Sequence, residues 1–249
     1  SAPREIVIKA TDFSFEAPEK IEGGLVTVTM ENEGAELHHL QLARLRDGVT
    51  FDQVHKVLAE GPEDALFELL EWVGGPSLVS PGGQSRVVLT IPEGQYLLLC
   101  FVASPDGVPH FAKGMAMPII VTASSTHAAE PQADLSVVLT DFAFTMPAQI
   151  KAGHQVWKVT NRGAQPHEIV IARLMPGKTL QDALRFLQTS EGAPPFEFMG
   201  GLQAIDSERT GWAVLDLPLG EYIALCFVPD PASGKAHIEL GMITGFTVE

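Results

Sequence analysis

Cysteine, histidine and methionine occur in one order in two separate stretches of the chain. YLLLCFVASPDGVPHFAKGM, Tyr96 to Met115, holds Cys100, His110 and Met115. YIALCFVPDPASGKAHIELGM, Tyr222 to Met242, holds Cys226, His237 and Met242, and there is no other cysteine. Nine residues separate Cys from His in the first stretch and ten in the second, while four separate His from Met in both. A further histidine lies well upstream of each stretch, His38 and His167. Thiolate and thioether are soft ligands, and imidazole is borderline. Two histidines and a cysteine in a trigonal arrangement, with a long weak methionine bond, make a blue-copper electron-transfer centre. Zinc sites more often use closely paired ligands such as C-x2-C with H-x3-H, and neither pair occurs here.

These donors must be held by elements that also occur twice. TDFSFEAP (Thr11–Pro18) returns as TDFAFTMP (Thr140–Pro147), and ELHHLQLARL (Glu36–Leu45) returns as QPHEIVIARL (Gln165–Leu174). IPEGQYLLLCFV (Ile91–Val102) returns as LPLGEYIALCFV (Leu217–Val228). The offset is 129 residues early and 126 at the cysteines, so the second copy is shorter in its middle. A period this long means a duplicated domain rather than a solenoid. ASSTHAAEPQA, residues 123–133, is small and polar and reads as a linker between domains at 1–122 and 134–249.

Each copy reads as short strands rich in Val, Ile, Leu and Thr, such as REIVIKA, LVTVTM, SRVVLTI and PIIVTA, divided by Gly, Pro, Asn and Asp. The expected fold is all-β, two tandem Greek-key β-sandwiches. A helical insertion interrupts each. In Thr179–Gln188, Leu180, Ala183, Leu184 and Leu187 form a helical stripe, and Thr179 with Asp182 forms a capping-box-like start. Thr50, Phe51, Val54 and Leu58 match it in the first copy, and PEDALFELLEW reads as a second helical piece there. The plain role for these insertions is to cover a sheet edge or end.

Composition narrows the function. The chain of 249 residues has net charge −15, which argues against nucleic acid and against an anionic membrane surface. It suits a cationic or neutral partner, although such an excess is ordinarily a solvated surface. No apolar run approaches the roughly 20 residues of a membrane helix, so anchoring would require a segment absent from this chain. The two cysteines fall at equivalent positions of separate copies, so a disulfide between them is not expected.

In each upstream histidine stretch one residue aligns between copies. His38 aligns with His167, and His39 aligns with Glu168. His39 competes with His38 as a ligand, and Met117 with Met115, but His38 and Met115 keep the positions shared with the second copy. His55, His127 and His154 have no histidine counterpart and read as surface residues.

The chain resembles the cupredoxins, the type 1 blue copper proteins, through NEGAELHH and NRGAQPHE, the two P-x-G-x-Y-x-x-x-C runs (Pro92–Cys100 and Pro218–Cys226), the Cys–His–Met loops and the order of all four donors. The Cys–His loop is longer than in the smallest members and closer to the type 1 site of copper nitrite reductases. The resemblance implies two type 1 coppers per chain, held by His38, Cys100, His110 and Met115 and by His167, Cys226, His237 and Met242. It also implies a downstream histidine near the surface as electron port. The function expected is electron transfer with a redox partner protein, not enzymatic turnover, in a periplasmic or extracellular location after removal of a signal peptide. The alternatives are copper storage or delivery, and a copper-free binding module. A two-domain oxidase or nitrite reductase would need further histidines. The residue before each cysteine is instead leucine, Leu99 or Leu225, and no His-x-His occurs.

Overall fold

The computed structural model describes all residues, 1–249. The first half runs β1 (Arg4–Thr11), β2 (Ser14–Glu16), β3 (Lys20–Glu22), β4 (Gly24–Asn32), β5 (Gln41–Leu45), α1 (Phe51–Glu60), a 3-10 turn, α2 (Leu66–Leu69), β6 (Leu70–Gly74), β7 (Gln84–Ile91), β8 (Gly94–Leu99), α3 (His110–Lys113) and β9 (Ala116–Thr122). The second runs β10 (Leu135–Thr140), β11 (Ala143–Thr145), β12 (Gln149–Ile150), β13 (Gly153–Asn161), β14 (His167–Leu174), α4 (Leu180–Thr189), β15 (Phe196–Ile205), β16 (Thr210–Leu217), β17 (Gly220–Leu225), a 3-10 turn at His237–Leu240 and β18 (Ile243–Val248). Residues 123–133 carry no helix or strand.

The strands form two sheets, ordered β11-β10-β13-β16-β7-β4-β1-β2 and β12-β18-β17-β14-β15-β6-β5-β8-β9-β3. Each order is a mirror of itself about its middle. The duplicated sandwiches therefore lie side by side, and both sheets run through both halves. In one sheet β16 pairs antiparallel with β7, from Gly211 opposite Leu89 to Val214 opposite Arg86. In the other, Ile205 of β15 faces Val73 of β6, and the amides of Gln203 and Asp206 donate to the carbonyls of Gly75 (2.8 Å) and Trp72 (2.9 Å). The main core spans both halves, with Val73, Leu89 and Ile91 clustering with Leu202, Ile205 and Leu215, and a smaller cluster packs Leu78 with Val170, Phe196 and Leu225.

Two equivalent glycines beside the junction make close approaches within their own halves. Gly75 (φ +149°) and Gly201 (φ +125°) press their backbones onto the strands that follow the upstream histidines. A Cβ there would lie 1.8 Å from the Leu40 carbonyl oxygen and 2.1 Å from that of Ile169. No side chain fits such an approach.

The helical expectations hold at the caps and shift at one end. Thr50 caps α1 with Gln53 in a reciprocal capping box, and Thr179 caps α4 with Asp182 in the same way. The second helical piece of the first half stops at Leu69. Glu71 and Trp72 are strand instead, because Trp72 pairs with Ala43 of β5 and the next residue reaches Ile205 of the other half. Both runs before the cysteines end in a tyrosine corner, with Tyr96 Oη donating to the Pro92 carbonyl (2.7 Å) and Tyr222 Oη to that of Pro218 (2.8 Å). No helix is long and apolar enough to cross a membrane.

Candidate metal centres

The loop leading to each upstream histidine is built by an asparagine. Asn32 Nδ2 donates to the carbonyls of Glu36 (2.9 Å) and Val79 (3.0 Å), and Asn32 Oδ1 accepts the Gly34 amide (2.9 Å). Asn161 repeats this with Gln165, Ile205 and Gly163. The glycine two residues on is required by contact. A Cβ on Gly34 would lie 2.7 Å from His38 Nε2 and 2.3 Å from Asp12 Oδ1, and Gly163 meets His167 and Asp141 at the same distances. The Asn-x-Gly motif thus seats the loop directly on a histidine–aspartate pair.

That pair fixes the imidazole. His38 Nε2 donates to Asp12 Oδ1 (2.6 Å), and His167 Nε2 to Asp141 Oδ1 (2.5 Å). A carboxylate can only accept, so Nε2 carries the proton and Nδ1 the lone pair. Each aspartate is held in turn by two backbone amides, those of Ala35 and Glu36 or of Ala164 and Gln165. These hydrogen bonds hold both carboxyls below the usual range despite the opposing cost of burial. Neither aspartate was anticipated as part of the site. The signal was present in the TDF run of both copies, whose phenylalanine also packs on the downstream histidine. The ring centroids are 4.9 Å apart for Phe13 and His110 and 4.8 Å for Phe142 and His237.

The cysteines follow β8 and β17, and backbone bonds draw the other loop residues to them. The Cys100 amide donates to the Met115 carbonyl (3.2 Å) and the Met115 amide to the His110 carbonyl (3.0 Å), and Cys226, Met242 and His237 repeat both bonds. Met115 and Met242 are fully buried. Met117, one step beyond the loop, pairs instead with Leu98 inside the sheet.

Three donors converge in each half. His38, Cys100 and His110 offer ligand atoms that all lie within 4.8 Å of one another, as do His167, Cys226 and His237. His110 Nδ1 stands 3.1 Å from His38 Nδ1 and 3.5 Å from Cys100 Sγ, and Cys100 Sγ is 3.9 Å from His38 Nδ1. In the second half His237 Nδ1 stands 3.0 Å from His167 Nδ1 and 3.4 Å from Cys226 Sγ. His39, the competing residue, turns elsewhere, and its Nε2 accepts the Phe101 amide (2.9 Å). His55, His127 and His154 are exposed.

The downstream histidines, expected near the surface, are covered by the side chains around them. His110 and His237 are both 0% exposed. Phe13 or Phe142 covers one face of each, and a polar side chain occupies each Nε2. His110 Nε2 donates to Glu36 Oε2 (2.7 Å), and His237 Nε2 donates to Gln165 Oε1 (2.8 Å).

The protonation pattern fits a cation. With Nε2 donating outward, the two Nδ1 lone pairs of each group face one another at about hydrogen-bond distance beside a cysteine. Burial lowers the pKa of His38 and His167, and it lowers that of His237 to about 4, so these rings favour the neutral, ligating form. Burial also pushes the Cys100 thiol up to about 11 and the Cys226 thiol higher still. Facing lone pairs and a buried thiol are unfavourable together unless a metal replaces the thiol proton and accepts all three donors. The soft and borderline donor set, with an adjacent buried methionine, is chemistry suited to copper.

No protein-family model matches the chain, and no curated protein matches it in sequence. Among solved structures it is similar to a dithionite-reduced auracyanin from Roseiflexus castenholzii, at 24% identity over 49% of this chain and 99% of that one, with a TM-score of 0.34. It is also similar to auracyanin A, a blue copper protein from Chloroflexus aurantiacus, at 21% identity over 49% of this chain and 100% of that one, with a TM-score of 0.33. A copper-containing nitrite reductase from Thermus scotoductus matches at 12% identity over 100% of this chain and 62% of that one, with a TM-score of 0.29. Two β-sandwiches, each bringing a cysteine and a downstream histidine beside an upstream histidine, are the arrangement that the sequence resemblance to cupredoxins leads one to expect.

Proposed function

We propose that the protein is an electron carrier with a type 1 copper in each half, which would be held by His38, Cys100 and His110 with Met115 as a further donor, and by His167, Cys226 and His237 with Met242. When bound, the metal supplies a one-electron Cu(I)/Cu(II) couple. The chain's own part is to keep the donors still. Asp12 and Asp141 fix the tautomer and orientation of the upstream rings, as carboxylates beside metal-bound histidines commonly do. The tyrosine corners and the Cys–Met backbone bonds fix the loop ends. Buried rings and thiols exclude water from the donors.

The observation that carries this reading is the facing pair of Nδ1 lone pairs beside a buried cysteine, present in both halves. Each of the two converging groups has the donors for a single metal, which is what a carrier requires. Leucine precedes each cysteine, so no imidazole leads from either group to a further metal. The acidic surface, with net charge −15, suits a cationic or neutral redox partner in a periplasmic or extracellular setting.

The test is a visible spectrum and metal analysis of protein loaded with copper and oxidised. The expected result is an intense thiolate-to-copper band with two coppers per chain. Copper bound without that band overturns the type 1 assignment and favours storage or delivery. No copper bound, with both thiols free, makes the protein a copper-free module.

A further inference from the structure

The outer hydrogen bonds of the two groups differ by an exchange. Glu36 and Ser104 of the first half occupy the places of Gln165 and Asp230 in the second. In the first half a carboxylate touches the ring directly. Glu36 Oε2 accepts from His110 Nε2 (2.7 Å) and also from Ser104 Oγ (2.8 Å). In the second half an amide stands between. Gln165 Oε1 accepts from His237 Nε2 (2.8 Å), and Gln165 Nε2 donates to Asp230 Oδ1 (2.8 Å). Each half thus keeps one carboxylate and one neutral group, in reversed order.

Resting on the type 1 reading above, we infer that this exchange sets the two centres at different potentials, the first lower than the second, so that an electron entering the chain settles on the second. A carboxylate hydrogen-bonded to the far nitrogen of a ligating imidazole makes the near nitrogen more basic. Hydrogen bonds to an ionised acceptor are also stronger than those to a neutral amide. A more basic Nδ1 stabilises Cu(II) over Cu(I) and lowers the potential. His237 receives less of this effect, because Asp230 reaches it only through the amide. The Asp230 charge is further shared with the Ser233 hydroxyl (2.6 Å) and with the amides of Ser233 (3.0 Å) and Ala232 (3.3 Å). Both rings are fully buried, while the Glu36 side chain keeps 27% of its surface in water, which reduces the difference without removing its cause, the direct hydrogen bond. On the other side Asp12 with Phe13 corresponds to Asp141 with Phe142, but the Lys113 ammonium lies 4.8 Å from the Phe13 ring centroid, where the second half has Leu240. The step is a transfer of one electron. Cu(I) in the first half is oxidised, Cu(II) in the second is reduced, and no proton or covalent bond changes.

Each centre is read alone, the first in Cys226→Ser protein and the second in Cys100→Ser protein, by spectroelectrochemical titration of the visible band. Two other nearby differences, His39 against Glu168 and Lys113 against Leu240, are removed by carrying Glu168→His and Lys113→Leu throughout. The expected result is a more positive midpoint for the second centre. The pair Glu36→Gln with Ser104→Asp should raise the first midpoint towards the second. The pair Gln165→Glu with Asp230→Ser should lower the second towards the first. A direct reading that needs neither exchange is the Nε2–H proton resonance of the Cu(I) protein, expected further downfield for His110 than for His237. Equal midpoints, exchanges that move neither value, or equal resonances overturn the inference while the intense band leaves the type 1 reading intact. Absence of the band overturns the type 1 reading and the inference with it.

Discussion

The two His–Cys–His groups agree in the separations around the downstream histidine and diverge one bond further out. Nδ1–Nδ1 separations are 3.1 and 3.0 Å, Sγ–Nδ1 separations are 3.5 and 3.4 Å, and both upstream rings rest on an aspartate. Behind them, Glu36 with Ser104 stands against Gln165 with Asp230, and His39 stands against Glu168. The last pair is instructive because both members do one job. His39 Nε2 accepts the Phe101 amide at 2.9 Å, and Glu168 Oε1 accepts the Phe227 amide at 3.0 Å. The backbone amide after each cysteine needs a buried acceptor, and either residue type supplies it. The donor geometry is demanded by the metal, whereas the acceptor behind it is constrained only to accept. Duplicated halves can therefore separate in charge and pH response without disturbing the donors.

The largest expected effect treats the halves as independent chemically. Cys100→Ser should abolish the intense band of the first centre and leave that of the second, with Cys226→Ser doing the reverse. A spectrum measured with one copper equivalent removed reads this directly. Loss of both bands in either single variant would break the comparison and show one centre that depends on the other.

Folding should treat the halves as one. The sheets cross the junction at β7–β16 and β6–β15, and Gly75 and Gly201 make equivalent close approaches. Gly75→Ala and Gly201→Ala should each cost about 2–4 kcal/mol through backbone strain and displacement. Urea denaturation should show one transition by all probes for the native protein and for each variant. Two separated transitions, or a cost at only one glycine, would show that the mirror symmetry of the strand order is not matched energetically.

In metal-free protein the His39–Glu168 pair should give the halves opposite pH responses. Burial lowers the His39 pKa from 6.5 to about 3, so the unfolded chain binds the extra proton between those values. Stability from this residue is full above pH 6.5 and is lost as pH falls towards 3. Burial raises the Glu168 pKa from 4.5 to about 7, so here the folded chain holds the extra proton. Its contribution is best below pH 4.5 and declines as pH rises towards 7, by about 3 kcal/mol in all. Glu168→Gln should therefore stabilise the protein at pH 8 and do little at pH 4, and His39→Gln should flatten the acid side alone. Chemical denaturation across pH checks both, and parallel profiles for the two variants would refute the opposition.

How much of this could be read from sequence follows from what each feature requires. The convergence of two histidines with a cysteine in each half was legible because the chemistry restricts residue type and the duplication repeats the order. Tyr96, Tyr222, Thr50 and Thr179 were legible because corners and caps are local. Asp12 and Asp141 were not, although TDF was visible twice, since each lies 26 residues from its histidine and only tertiary folding joins them. Strands β6 and β15 were hidden by glycines, which end β6 at Gly74 and interrupt β15 at Gly200 and Gly201 and so weaken any strand pattern. The burial of His110 and His237 was hidden for a similar reason. It depends on Phe13 and Phe142, which reach the loop from the far end of each half's sequence.

The smallest expected effect is the one on which the halves should agree most closely. Tyr96 and Tyr222 are 0% and 1% exposed, and each donates one hydrogen bond, at 2.7 and 2.8 Å, to a proline carbonyl four residues back. Tyr→Phe keeps the ring and removes only the hydroxyl. The carbonyl left behind loses its partner, which costs about 1 kcal/mol for a neutral pair. Both tyrosines sit four residues before a ligating cysteine, so a shift of the corner would be felt at the metal. The ring packing that remains should prevent such a shift, and it is strong for Tyr222, whose ring stacks on Phe246 with centroids 5.3 Å apart. Tyr96→Phe and Tyr222→Phe should therefore lose equal stability in urea denaturation and leave the two visible bands unmoved. An unequal loss, or a band shift confined to one centre, would show that the corner of that half positions its cysteine as well as closing the turn.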